Sequence, residues 1–165
     1  MNWIRNTIVA VAALAIGAVG GFFSTPMVKS EPVVVYSSPG GAIFEFIGYY
    51  NKVANEKSKL EIRGVCASAC TFFLGLVPKE RVCYDDKAYL GFHGVYSGGF
   101  FTPPVFNKVM TEWTYDYVYT PEVIKKLNEL GWSIEHDVDH EVHPTGLIWT
   151  KGEFLKDLGY QKCAD

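Results

Sequence analysis

The chain has 165 residues and a formal net charge of −3, and 48% of its residues are hydrophobic. This length suits one domain with a modest core, and this composition excludes a disordered chain. No stripe of basic residues occurs, so nucleic acid is not an expected partner.

The first 30 residues carry a compartment signal. Arg5 precedes a long uncharged run whose strongly apolar part is Thr7–Phe23. The run indicates a cleaved signal peptide or an uncleaved signal-anchor helix, and the lack of a small-x-small cleavage site favours the anchor. In both alternatives the part of the chain that follows this segment is exported from the cytoplasm. We therefore predict a leader or anchor helix with a linker over residues 1–30, and a periplasmic or otherwise extracytoplasmic domain over residues 31–165, held at the inner membrane if the anchor is retained.

Strand and helix patterns alternate along the first half of this domain. Pro32–Tyr36 is a β-branched apolar run typical of a buried strand, and it ends in the turn Ser37–Gly41. Ala42–Asn55 has apolar residues at helical spacing, and Lys59–Val65 predicts a second strand. Cys66–Leu76 begins with small residues and continues with residues that are apolar on all sides, which indicates a short, fully buried helix.

Two more strands and a loop follow. Arg81–Tyr84 and Tyr89–His93 predict short strands, and Gly94–Pro104 predicts a flexible loop with exposed aromatic residues. The alternation of strands with helices predicts the α/β fold class.

Two helices are predicted near the C-terminus. Thr120 and Pro121 are typical of a helix start, and Gly131 is typical of a helix end. The sequence Thr150-x-x-Glu153 is a capping box that predicts the start of a last helix.

The chain has four cysteines, and an even number in an exported domain predicts structural disulfides. They are Cys66, Cys70, Cys83 and Cys163. Three pairings remain open. No Cys-x-x-Cys pair occurs, so the usual zinc-ribbon and thioredoxin patterns are missing, and a redox role for Cys66 and Cys70 is the less favoured alternative.

Ser68 is a candidate nucleophile. It lies between a predicted strand and a predicted buried helix, in the segment CASAC. In that position its hydroxyl is presented at the end of a sheet, and the backbone N–H groups of the first helical turn favour a developing oxyanion. The alternative is that Ser68 simply caps the helix.

Two further features accompany Ser68. Consecutive glycine amides at Gly40 and Gly41, between a strand and a helix, can point at one anion. His93 closes a predicted strand, and imidazole is well suited to act as a base near neutral pH. The structural alternatives are an ordinary turn and a strand-end histidine.

The order of four segments, Ser-Ser-Pro-Gly-Gly, Cys-Ala-Ser-Ala-Cys, Arg-Val-Cys and Gly-Phe-His, resembles the Clp-protease and crotonase-like superfamily, in particular its exported members. The resemblance spans residues 33–104 and is weaker over Trp149–Gly159, which is similar to the family's C-terminal helix. It implies a minimal spiral of β-β-α units, preceded here by the N-terminal hydrophobic helix. It also implies a serine hydrolase that acts on a peptide or protein substrate without a cofactor or metal, and that self-associates into homo-oligomers.

The resemblance also implies the roles of individual residues. Ser68 is the nucleophile, His93 the general base, and the backbone amides of Gly41 and Ala69 form the oxyanion hole. The family's peptidases add an aspartate just before the last helix, but the corresponding position lies near Leu147, where no acid occurs. Asp137, Asp139 and Glu141 lie upstream and can substitute only if their loop folds back, and of these Asp139 is the predicted orienting acid.

Two other functions compete with hydrolysis. If this segment is a helix, His136, His140 and His143 share one face and suit a metal ion, although a solvated acidic segment is the favoured interpretation. The stronger competitor is a catalytically lapsed member of the same fold that acts as a binding or assembly module. The aromatic loop Tyr96–Phe106 is then its contact surface.

Overall fold

A computed structural model of the chain describes residues 31–98, 103–134 and 146–164. The strands are β1 (Val33–Ser38), β2 (Leu60–Ala67), β3 (Val82–Tyr84), β4 (Tyr89–Phe92), β5 (Tyr96–Ser97), β6 (Val105–Phe106), β7 (Ile148–Lys151) and β8 (Gln161–Lys162). The helices are α1 (Ile43–Asn55), α2 (Phe73–Leu76), α3 (Lys108–Tyr117), α4 (Pro121–Glu129) and α5 (Gly152–Asp157), with 3-10 turns over Ser68–Phe72 and Lys79–Arg81.

The predicted leader or anchor over residues 1–30 lies outside the described residues. No helix in the described part of the chain is long and apolar enough to cross a membrane.

Strand β2 is the centre of a six-stranded sheet. Strand β1 runs parallel to it along one edge. The other edge is divided between two strands, since β3 pairs with the start of β2 and β4 pairs with its end. Strand β8 extends the sheet in parallel beside β3, and β7 pairs antiparallel with β4. The protein is therefore a mixed α/β fold with a curled, mostly parallel sheet, and this confirms the predicted fold class.

A close approach between β1 and β2 shapes the turn that follows β1. The register between the two strands shifts between Val35 and Ser37. A Cβ atom on Gly64 would lie only 2.0 Å from the carbonyl oxygen of Tyr36, so only glycine fits there. Such an irregularity bends the strand that carries it. The bend directs the Ser-Pro-Gly-Gly turn across the end of β2.

The core lies between the sheet and the helices. Alternate residues of β2, Leu60 and Ile62, are fully buried, as expected for a strand with one face on the core. Tyr50 of α1 and Phe73 of α2 are also fully buried, and their rings meet edge to face. Apolar burial of this kind is the main favourable term in folding. The contact between Tyr50 and Phe73 thus packs α1 against the segment that follows β2.

The helix signals gave different outcomes at the two C-terminal helices. The predicted start of α4 is confirmed, because the hydroxyl of Thr120 accepts a hydrogen bond from the Val123 amide at 3.4 Å. The prediction that Thr150 caps the last helix is wrong. Thr150 belongs to β7, where it is buried opposite Leu90, and α5 begins at Gly152. Pairing across the sheet has overridden a local signal.

Five elements were not predicted, namely β5, β6, α3, β7 and β8. Strand β5 lies inside the loop predicted over Gly94–Pro104, and it pairs antiparallel with β6, which begins directly after that loop. Helix α3 follows, capped by Asn107, whose side chain accepts from the Met110 amide at 3.0 Å. Strand β8 is only two residues long, too short for a pattern to reveal.

Two disulfides join all four cysteines, Cys66 to Cys70 and Cys83 to Cys163. The first closes a short ring at the end of β2. The second ties β3 to the C-terminal end of the chain. Two disulfides are compatible with an oxidising, extracytoplasmic compartment.

Removing the two disulfides should cost unequal amounts of stability. Replacing Cys83 and Cys163 by Ala should lower the unfolding free energy by about 4 kcal/mol, against about 2 kcal/mol for Cys66 and Cys70, because a longer cross-linked loop restricts the unfolded chain more. The sequence separations are 80 and 4 residues. Guanidinium unfolding of the two double variants and the parent measures both losses. Equal losses would contradict this explanation.

Candidate active site

Ser68 has an unusual backbone conformation. Its φ is +57°, and among the described residues only Lys57 shares a positive φ without being glycine. The left-handed region costs a non-glycine residue roughly 1–2 kcal/mol. The cap position of the 3-10 turn is Ala67, which makes no side-chain cap hydrogen bond. The alternative prediction, that Ser68 caps this helix, is therefore wrong. A strained strand-to-helix turn of this kind presents a side chain at the end of a sheet.

Gly40 lies directly against Ser68. A Cβ atom on Gly40 would be 2.6 Å from the Cβ of Ser68, 2.6 Å from the carbonyl oxygen of Ala67 and 2.9 Å from the amide nitrogen of Ala69. Contacts below 3.0 Å exclude any side chain there. Gly40 also has a φ of +85°, which glycine adopts without strain. The glycine turn is therefore packed onto the backbone around Ser68.

A disulfide and a hydrogen bond hold the segment from the other side. The Cys66–Cys70 disulfide encloses Ser68 in a ring with two residues on each side, and both cysteines are fully buried. The Tyr50 hydroxyl donates to the Cys70 carbonyl oxygen at 2.6 Å, which ties the ring to α1. Burial raises the pKa of Tyr50, so this hydroxyl remains a donor.

Thr71 connects the carbonyl of Ser68 to a half-buried tyrosine, Tyr119. Its hydroxyl donates to the Ser68 carbonyl oxygen at 2.7 Å. That uses its one proton, so the Tyr119 hydroxyl must donate to Thr71 across their 2.6 Å contact. Burial raises the pKa of Tyr119 and keeps its proton in place. The carbonyl of Ser68 therefore has a fixed partner.

The four residues that the sequence assigned to the site line a single cavity of about 460 Å³. They are Gly41, Ser68, Ala69 and His93. Parallel pairing explains part of this convergence, since Ala67 of β2 lies beside Gly91 of β4. The carboxyl ends of the two strands therefore meet, and ligand sites form at such ends. Their roles as nucleophile, base and oxyanion donors remain predictions.

The segment after His93 is held by helix α3. The Val95 amide donates to the Thr111 hydroxyl at 2.8 Å, and this hydroxyl donates in turn to the Asn107 carbonyl oxygen. A Cβ atom on Gly94 would lie 2.2 Å from the Phe106 ring. The chain leaving His93 is thus closely packed against the hairpin and α3.

Sequence reasoning missed the aromatic wall of the cavity. Tyr115, Tyr119 and Trp132 line it, together with Phe72 and Met110. The face of α3 that contributes to the cavity also contains the buried threonines Thr111 and Thr114. Threonine is a polar residue, so a pattern of apolar residues does not reveal this face. The only signal in the sequence is the helical spacing of these threonines and Tyr115.

Several predicted residues lie outside the described part of the chain. Asp139, the predicted orienting acid, is one of them, and so are the histidines of the rival metal site, His136, His140 and His143. Residues near Leu147 are described and, as the sequence requires, include no acid before Glu153.

No protein-family model matches this chain, and no curated protein matches it either.

The strain at Ser68 predicts a stability difference between two substitutions. Ser68→Gly should be more stable than Ser68→Ala by about 1 kcal/mol, because glycine tolerates the left-handed backbone and alanine does not. Chemical unfolding of both variants measures the difference. Lys57 has a φ of +56°, so Lys57→Gly against Lys57→Ala is a matched control and should show a similar difference. Equal stability of the two Ser68 variants would contradict a strained turn.

Proposed function

We propose that the chain is an exported serine hydrolase of the Clp-protease-like type that cleaves peptide bonds in peptides or proteins. The observation that carries the proposal is the convergence of Gly41, Ser68, Ala69 and His93 on one cavity, from three separate stretches of the sequence. The residues match the parts that acyl transfer needs, namely a nucleophile, a base and oxyanion donors.

The reaction follows from these roles. His93 takes the proton of the Ser68 hydroxyl as the oxygen attacks the substrate carbonyl carbon. The carbonyl oxygen becomes an oxyanion and accepts hydrogen bonds from the amides of Gly41 and Ala69. The C–N bond then breaks, and His93 returns the proton to the departing amine. Water, deprotonated by His93, hydrolyses the acyl-serine ester and restores the hydroxyl.

The packing around Ser68 supports this assignment. Catalysis by positioned groups requires them to stay within a fraction of an ångström of the reactive geometry. Ser68 is confined by Gly40 on one side, and by the Cys66–Cys70 ring and Thr71 on the other. Backbone strain concentrates at functional sites, where the surroundings enforce it.

The sheet supports the wider family proposal. Two strands, β3 and β4, share one edge of β2, and this division fits a sheet that winds into a spiral of β-β-α units. Asp139 remains the proposed orienting acid for His93. Homo-oligomerisation, and attachment to a membrane through residues 1–30, are further proposals that rest on the resemblance and the sequence pattern.

The second candidate is a binding module on the same fold that has lost catalysis. It would use the aromatic surface that begins at Tyr96. The constraint on Ser68 favours the hydrolase, because a binding surface gains nothing from a serine held in a left-handed conformation.

Labelling with a fluorophosphonate probe tests the hydrolase directly. We expect the protein to be labelled at Ser68, and Ser68→Ala to abolish labelling. His93→Ala should slow labelling by roughly 100-fold or more, because it removes the base that activates the hydroxyl. Ser97 lines the same cavity, so Ser97→Ala is the matched control and should be labelled normally. Labelling that persists in Ser68→Ala, or none in the parent, would count against the proposal.

The two disulfides should affect the reactivity of Ser68 differently. Replacing Cys66 and Cys70 by Ala should slow labelling by at least about 10-fold, because the turn that holds the hydroxyl loses its closure. Replacing Cys83 and Cys163 by Ala should leave the labelling rate of the folded protein unchanged. Rates are compared at a temperature where circular dichroism shows both variants folded. Unaltered labelling without Cys66 and Cys70 would refute a positioning role for their disulfide.

A further inference from the structure

Tyr119 lies between the two halves of the candidate site. It belongs to the connection between helices α3 and α4. Its ring meets the ring of Phe72 edge to face, with the centroids 5.8 Å apart, and lies tilted against the ring of Phe92 at 6.3 Å. Phe72 ends the 3-10 turn that begins at Ser68, and Phe92 ends β4 directly before His93. One side chain therefore contacts both segments that carry the proposed nucleophile and base.

The hydroxyl of Tyr119 acts on the Ser68 turn through two consecutive hydrogen bonds. It donates to the Thr71 hydroxyl at 2.6 Å, and Thr71 donates to the Ser68 carbonyl oxygen at 2.7 Å. Thr71 is fully buried, so water does not compete for its hydroxyl. Hydrogen bonds in such a chain polarise one another, and each strengthens the next. The Tyr119 hydroxyl therefore strengthens the hold of Thr71 on the Ser68 carbonyl.

The backbone that carries Tyr119 is fixed independently of its side chain. The Val118 carbonyl packs onto Gly75 of α2, where a Cβ atom would overlap the Val118 oxygen and lie 2.8 Å from its carbonyl carbon. Only glycine allows the two backbones to approach this closely. The Val118 amide also donates to the Thr114 carbonyl oxygen at 2.9 Å, which completes the last turn of α3. Tyr119 therefore starts from a rigid support.

The partner of the Tyr119 hydroxyl favours a positioning role over general packing. Tyr160 is a buried tyrosine of the ordinary kind, since its hydroxyl donates to the Leu74 carbonyl oxygen of α2 at 3.2 Å. Tyr119 instead reaches, through Thr71, the carbonyl of the one residue of the candidate site with a left-handed conformation and a side chain. Backbone strain persists only where the surroundings enforce it. The hydrogen bonds from Tyr119 belong to these surroundings.

We propose that Tyr119 is a positioning residue for both halves of the candidate site. Its hydroxyl holds the Ser68 turn through Thr71. Its ring sets the spacing between that turn and the end of β4, where His93 follows. The effect on catalysis rests on the proposed hydrolase function, whereas the link between the two segments does not. The two parts of the side chain can be separated, because phenylalanine keeps the ring without the hydroxyl and leucine keeps neither.

Rates of fluorophosphonate labelling at Ser68 test the hydroxyl. Thr71→Val should slow labelling by about 10-fold, because the carbonyl loses its donor and the turn is less well fixed, and Thr71→Ser should restore most of the rate. Tyr119→Phe should slow labelling by about 3-fold, since Thr71 remains in place. In the Thr71→Val background, Tyr119→Phe should add nothing, because its hydroxyl acts through Thr71. Reductions that multiply, or a Tyr119→Phe rate equal to that of the parent, overturn this path.

Tyr160 supplies the matched control for a loss of stability. Tyr160→Phe also removes a tyrosine hydroxyl that donates inside the protein, but its partner is the Leu74 carbonyl and not the Ser68 turn. It should lower the melting temperature about as much as Tyr119→Phe does, and it should leave the labelling rate unchanged. Equally slow labelling in both variants would indicate general destabilisation and would count against positioning.

NMR spectroscopy of isotope-labelled protein keeps the proposal testable without catalysis. Thr71→Val and Tyr119→Phe should each change the carbonyl carbon shift of Ser68, which responds to its hydrogen bond, and leave the imidazole shifts of His93 unchanged. Tyr119→Leu should change both, because the ring that contacts Phe92 is lost. Unchanged Ser68 shifts in the first two variants, or unchanged His93 shifts in the third, overturn the proposal while probe labelling can still uphold the hydrolase. Conversely, these changes in a protein that the probe never labels uphold the link between the segments and reject the hydrolase.

Discussion

The contact between Gly40 and the backbone around Ser68 is the constraint on which the candidate site depends. Ser68 adopts a left-handed conformation that a serine alone would avoid. It is held there because Gly40 has no side chain, so that the glycine turn packs within van der Waals distance of the residues on both sides of Ser68. The same contact sets the position of the next residue, Gly41, relative to Ala69. One close approach thus shapes both halves of the proposed oxyanion hole.

The sheet makes this contact possible. The register shift in β1 opposite Gly64 bends the strand, and the turn that follows crosses the end of β2. On the other edge, β4 accompanies only the last residues of β2, which carries the chain to His93 at the same end of the sheet. A curled sheet therefore gathers the candidate residues from both of its edges. Helix α3 and Trp132 then close the cavity with an aromatic wall.

This wall gives the cavity its chemical character. It contains the buried residues Tyr115 and Trp132, and among the described residues that line the cavity none is a lysine, arginine, aspartate or glutamate. Tyr119 instead donates a hydrogen bond to Thr71, and Thr71 donates one to the Ser68 carbonyl oxygen. The ring of Tyr119 meets that of Tyr115 edge to face, with the centroids 5.8 Å apart. A single aromatic layer links them.

The sequence by itself determined the features that depend on short stretches of chain. The alternation of strands and helices predicted the α/β class, and the Thr120 cap predicted the start of α4, because capping is a contact between residues three apart. Spacing and the resemblance also pointed to Ser68, His93, Gly41 and Ala69, which line one cavity and whose roles remain predictions. Only the tertiary structure decided the left-handed conformation of Ser68, the pairing of the cysteines and the aromatic wall, and it placed Thr150 in a strand despite its capping box. These features depend on contacts between residues far apart in the chain, and a local pattern carries no information about which distant partner will be present.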